Sequence, residues 1–233
     1  MNKFITIIAS LLIAFTFTKT VLADGHQVYG PYPITLKGYD GDATNSVKYT
    51  GQMARHALHD SLKALVKSGD VAKMMAYYNG EDGLEIIAPA SKGDFVIKQT
   101  MISEIGSGNL SGKMYKGAVP GWGNLTGPEV IEHMMTKAGE VEGGFDPNTG
   151  MDYTQLISKF AMGAVFYNQA VNSYLGSKME VGQKPNNKPY KDGAYYTGKE
   201  HSWDEAFGYW GSAAHALTLS AEQNYNVAKK KDM

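Results

Sequence analysis

The chain has 233 residues, with 22 basic and 23 acidic side chains, a net charge of −1 and no cysteine. So even a balance gives no electrostatic footing for nucleic acid or anionic lipid. The lack of cysteine excludes a disulfide framework, a lipoprotein anchor, an iron–sulfur cluster and a thiolate metal site. Arg55 is the only arginine, which excludes an anion clamp built from several of them.

Residues 1–23 have the three parts of a bacterial-type signal peptide. Lys3 supplies the positive start, Phe4 to Phe17 is apolar except for Thr6, Ser10 and Thr16, and Val21-Leu22-Ala23 ends on a small residue. The apolar run is about 14 residues, short of the ~20 that a membrane span requires. Cleavage is therefore expected before Asp24, releasing a periplasmic or secreted protein with no membrane span. The rest divides into an irregular segment, 24–49, punctuated by Gly30, Pro31, Pro33, Gly38 and Gly41, and a helical-bundle domain, 50–233.

Thr50 reads as the cap of a helix over 51–68, with Ala54, Ala57, Leu58, Leu62, Leu65 and Val66 on its apolar face and Gly69 as its stop. A second helix is predicted over 70–79, from Asp70 to Gly80. The signals then mix, with a helix over 95–105 and a glycine-rich loop over 106–123. Thr126-Gly127-Pro128-Glu129 has the spacing of a capping box with proline at the first helical position and opens a helix over 127–138. Asp152 opens the strongest helix, 153–175. Its apolar residues, from Leu156 to Leu175, nearly surround the axis, which predicts the most buried helix at the bundle centre. Asn168, Gln169 and Asn172 would then require buried partners. An exposed connection, 176–198, leads to a last helix over 198–228, opened by Thr197 with Glu200. Strand alternation is scarce, so the fold class is all-α, a helical bundle.

The last helix carries the chemistry. At about 100° per residue, Trp203, Phe207, Trp210, Ala214 and Leu217 share one side, and His201, Asp204, Glu205, Gly208, Ser212, His215 and Glu222 the opposite one. A solvated face in so lysine-rich a chain should carry lysine, yet none occurs between Glu200 and Ala228. Gly208 and Gly211 each cost roughly 1 kcal/mol in a helix interior but allow a close approach. His201 lies three and four residues before Asp204 and Glu205, a spacing that suits two ligands of one ion or a plain histidine–carboxylate hydrogen bond. His56 and Asp60 on the first helix repeat the spacing, and a solvated surface pair is the plainer reading of them. His201, Asp204, Glu205, His56 and Asp60 are thus the candidate ligands of a divalent metal such as iron. Imidazole and carboxylate do not choose among iron, zinc and manganese. His215 lies about 21 Å from His201 along a straight helix and joins only if that helix breaks. No zinc-protease, nucleophile-elbow or phosphate-loop signature occurs, and no spacing of Ser, His and Asp singles out a triad.

Three blocks, Tyr49-Thr50-Gly51-Gln52-Met53-Ala54-Arg55-His56, Lys159 to Ala170, and Glu200-His201-Ser202-Trp203-Asp204-Glu205-Ala206-Phe207-Gly208-Tyr209, resemble a secreted bacterial family known as domain of unknown function 4856. The resemblance runs from about Tyr39 to Asp232. That family is distantly similar to the imelysin-like helical proteins of the bacterial envelope, which are linked to iron. Their G-x-H-x-x-E motif is met here by His201, with Lys199 in place of the glycine and Asp204 in place of the glutamate. The resemblance implies an imelysin-like bundle and a family that continues past Met233, so that this chain would be truncated. Together these readings lead to a non-enzymatic periplasmic protein that binds a metal ion. The alternative is an envelope binding or interaction protein for another ligand, with a structural polar network on the last helix. A hydrolase ranks below both.

Overall fold

The computed structural model describes residues 34–43, 46–87, 99–211 and 220–223. The expected signal segment, the first four residues of the expected helix 95–105, His215 and most of the expected continuation to 228 lie outside these residues; the described part of 95–105 is helical only over Ile102–Ile105.

Helix α1 spans Thr50–Leu65 and tightens into a 3-10 turn, Val66–Ser68, which Gly69 ends at φ 68°. Thr50 is its first residue rather than its cap: Tyr49 holds that position and makes no side-chain cap bond. Helix α2, Val71–Asn79, starts where the Asp70 carboxylate accepts the Lys73 N–H at 2.9 Å and ends at Gly80, φ 63°. A single turn, α3, spans Ile102–Ile105. Helix α4, Gly127–Gly139, opens with Glu129 accepting the Thr126 N–H at 2.7 Å. A hairpin of two residues per strand, β1 Phe145–Asp146 and β2 Met151–Asp152, pairs Phe145 with Asp152 and Asp146 with Met151. Helix α5, Tyr153–Ala161, is capped by Asp152 and runs into a π-helix, Met162–Tyr174. Helix α6, Gly198–Trp210, opens on the Thr197–Glu200 capping box and stops at Gly211, φ 80°, whose N–H donates to the Phe207 carbonyl at 3.1 Å. Helix dominates the described residues, and the hairpin is their only sheet.

The hub of the packing is α1. It meets α2, α3, α5 and α6, while α4 closes the far side against α2 and α5. Leu58, Leu62, Val130, Ile131, Met135 and Ile157 are fully buried between them. Fully burying one such side chain stabilises the fold by about 1.5–3 kcal/mol. The expected central helix, 153–175, lies instead at the edge. Phe166, Ala170 and Tyr174 face inward at four-residue intervals, while Met162, Tyr167, Val171 and Leu175 are exposed. Bonds to the fifth residue back, such as Leu175 N–H to the Ala170 carbonyl at 2.9 Å, widen each turn. That widening keeps a four-residue stripe on one face. Asn172 and Asn168 bond each other at the surface, and only Gln169 reaches inward, donating to the Lys113 carbonyl at 2.8 Å.

Helix α6 is seated polar side in. Asp204 is 2% exposed, whereas Trp203 and Trp210 are 47% and 72% exposed. The close approach comes from Gly208. A Cβ there would meet the Cβ atoms of both Gln52 and Tyr49 at 2.8 Å. Gly208→Ala should therefore force α6 away from α1 and cost about 1–3 kcal/mol, the usual range for overpacking. Gly163→Ala is the matched control, since its Cβ would meet nothing within 4 Å. It should be neutral or stabilising by up to about 1 kcal/mol. Urea unfolding of the two variants checks the pair, and equal losses would contradict the packing of α6.

Candidate functional site

Glu205 is the centre of the buried polar face. Its Oε1 accepts the Gln52 Nε2–H of α1 at 2.8 Å and the Tyr174 hydroxyl of the π-helix at 3.2 Å, while Oε2 lies 3.5 Å from His201 Nε2. One carboxylate thus ties three helical segments. Asp204 points elsewhere and accepts the Lys48 backbone N–H at 3.1 Å, which pins the chain entering α1. His201 packs against the adjacent rings of Tyr190 and Tyr196, each 4.8 Å away between centroids. Burial lowers its pKa, and the Glu205 carboxylate partly opposes that shift. Lys178 Nζ rests 3.2 Å from the centre of the Tyr174 ring, and burial draws its pKa down to about 8 against the pull of Glu205. Arg55 lies 5.7 Å from the Tyr209 ring and donates from Nε to the Asn109 carbonyl at 2.9 Å.

The five residues singled out in the sequence do not converge. His201 and Glu205 meet. His56 instead reaches α6 at Gly208, with Nε2 2.9 Å from that carbonyl oxygen. Gly208 lies seven residues beyond His201, about 10 Å along the helix. Asp60 lies against His59, its Oδ1 3.5 Å from Nδ1. Among the described residues, no three His, Asp or Glu side chains come together as a cation site. The expected metal centre therefore finds no ligand set there. The register of α1 on α6 is the reason, because it brings Gln52 rather than His56 to Glu205. Gln52, Tyr174 and Lys178 escaped the sequence reading. The one legible signal was Gln52, a polar residue four positions before His56 in a helix already assigned to the core.

A second feature is a groove of about 470 Å³ between α1, the α5–π-helix segment and the end of α6. His56 stacks on Phe166 at 4.3 Å, and His59 meets the same ring edge-on at 5.4 Å. Met162, Tyr167, Val171 and Trp210 give it an apolar wall. The groove also brings Ser158, His59 and Asp60 together, the composition of a hydrolytic triad, with Ser158 Oγ 3.3 Å from His59 Nε2. The geometry is wrong for that chemistry. Nε2 also lies 3.1 Å from the Ser158 carbonyl oxygen, which can only accept, so this nitrogen carries the proton. A protonated Nε2 cannot take the hydroxyl proton. Ser158 also lies inside α5, where neighbouring N–H groups are committed to the helix ladder and no oxyanion hole forms.

Residues 129–232 match the family model described as "Domain of unknown function (DUF4856)". The match takes in α4, α5, the π-helix and α6 and leaves α1 outside it. The family expected from the sequence is therefore the family found, over a shorter stretch than the expected Tyr39 to Asp232. No curated protein and no solved structure matches the chain, and the distant likeness to imelysins finds no support in them.

His56 and His201 both have a pKa lowered by burial. Each takes up a proton less readily when folded than when unfolded, where its pKa is about 6.5. As pH falls through that value the unfolded chain binds protons first, so the stability present above it is progressively lost. The urea midpoint should fall from about pH 7 towards pH 5.5, below the range around pH 8 in which Lys178 titrates. The double change His56→Gln with His201→Gln should flatten that fall, and an unchanged slope would contradict the burial of the two rings.

Proposed function

We propose that this is an exported, non-enzymatic binding protein whose ligand site is the apolar groove between α1, the π-helix and the end of α6. The observation that carries the reading is the wall of that groove. Tyr167 is 60% exposed and Trp210 72% exposed, and Met162 and Val171 are exposed beside them. Exposed apolar residues gathered in one concavity mark a binding surface, and the volume lies within the roughly 300–1,000 Å³ range of small-molecule sites. The Glu205 network serves as the frame that holds α6 against α1 and keeps the groove open. Export rests on the signal-like residues 1–23, and intact-mass analysis of periplasmic protein should give Asp24 as the first residue. Recovery of Met1 from the membrane fraction would refute export.

The neutral dye N-phenylnaphthylamine should bind and brighten, with a dissociation constant on the order of micromolar, about −8 kcal/mol. Trp210→Ala and Tyr167→Ser should each weaken it about tenfold, or about 1.4 kcal/mol, without a change in unfolding midpoint, because both side chains are exposed. Dye binding that ignores both changes would move the site elsewhere. Hydrolysis of p-nitrophenyl decanoate that disappears in Ser158→Ala would overturn the non-enzymatic reading.

A further inference from the structure

The groove is polar along its length. Helix α1 and the α5–π-helix segment run antiparallel beside it, as His59 meets Ser158 at one level and His56 meets Phe166 at the next. Lys63 lies one turn beyond His59, and Lys159 follows Ser158, so both lysines fall at the same end. Tyr167, Val171 and Trp210 fall at the other end, past His56, where α6 stops. Neither lysine forms an ion pair among the described residues, and Lys159 Nζ approaches only the Met162 sulfur, at 4.0 Å. The single carboxylate lining the groove, Asp60, lies against His59. One end is thus cationic and the other aromatic and aliphatic, with roughly 10 Å of helix between His56 and Lys63.

We infer that the ligand is a single-chain amphiphile with an anionic head, bound with its carboxylate or comparable oxyanion at Lys63 and Lys159 and its tail towards Trp210. The inference rests on the binding role proposed for the groove. Charge complementarity selects the head, since two cations face one carboxylate at that end. The apolar lining runs along the π-helix from Met162 to Val171, which selects a chain over a compact ring.

Isothermal titration with three ligands of equal tail and different head tests it: decanoate, decanol and decyltrimethylammonium. Decanoate should bind about tenfold tighter than decanol, and decyltrimethylammonium most weakly, since partly exposed ion pairs contribute modestly. The double change Lys63→Ala with Lys159→Ala should bring decanoate down to the affinity of decanol and leave decanol unchanged, whereas Tyr167→Ser should weaken both alike. Equal binding of decanoate and decanol, both lost in Tyr167→Ser, would refute the anionic head and leave the groove as the site. No binding of any of the three, or binding indifferent to Tyr167→Ser, would refute the groove itself. Retention on phosphatidylglycerol vesicles, lost in Tyr167→Ser and unaffected by decanoate, would assign the patch to a membrane surface and overturn the inference.

Discussion

The seating of α6 on α1 depends on the missing side chain of Gly208. Because no Cβ stands between the helices, Gln52 and Tyr49 can close on the α6 backbone. That contact sets the register for everything nearby. It places Gln52 at Glu205, brings His56 to the Gly208 carbonyl and leaves Gly211 against the His56 ring. It also decides what faces out, since a helix that buries its glycine and carboxylates must present its tryptophans to the solvent side. The apolar groove is a consequence of that same choice.

Burying a carboxylate is costly unless its lone pairs are engaged and its charge is answered. Glu205 meets both conditions. Gln52 and Tyr174 donate to it, His201 lies beside it, and the charges of Lys178 and Lys113 act on the same region. Both lysines have pKa values lowered by burial and raised in part by Glu205, while the charge of Lys113 works against that of Lys178. The Tyr174 and Tyr209 hydroxyls are pushed well above the ordinary phenol range by burial, and both stay neutral. Removing Glu205 would leave the Gln52 amide and the Tyr174 hydroxyl without their shared acceptor, which makes the network a frame rather than a set of independent contacts.

The groove shows how little composition says about chemistry. Serine, histidine and aspartate meet there, yet the imidazole proton is held by a main-chain carbonyl and the serine lies inside a helix. The same residues serve packing instead: His59 joins α1 to α5, and His56 joins α1 to α6 while stacking on Phe166. The proposed binding role rests on the apolar lining of the concavity, with Lys63 and Lys159 at one end and Trp210 at the other.

Much of the secondary structure was legible in the sequence, because caps and stops are local. Asp70, Thr126 with Glu129, Asp152, and Thr197 with Glu200 open helices through bonds that span three residues, and Gly69 and Gly80 close them in left-handed conformations, whereas Gly211, expected inside a helix running to 228, is a stop that the sequence did not reveal. The lack of lysine on the polar face of α6 also signalled that this face is not solvated. Three things depended on tertiary structure. The apolar periodicity of 153–175 could not show that the helix lies at an edge with a π-helical half, because exposure depends on which neighbours are present. Equal spacing of His201 with Glu205 and of His56 with Asp60 could not show that the two pairs stay apart, because interhelical register depends on Gly208 and its contacts. Nor could hydrophobicity tell which side of α6 goes inward. The local signals are bonds along one chain, whereas facing and register are free-energy balances over all the helices at once, and here a buried hydrogen-bonded carboxylate outweighed two exposed tryptophans.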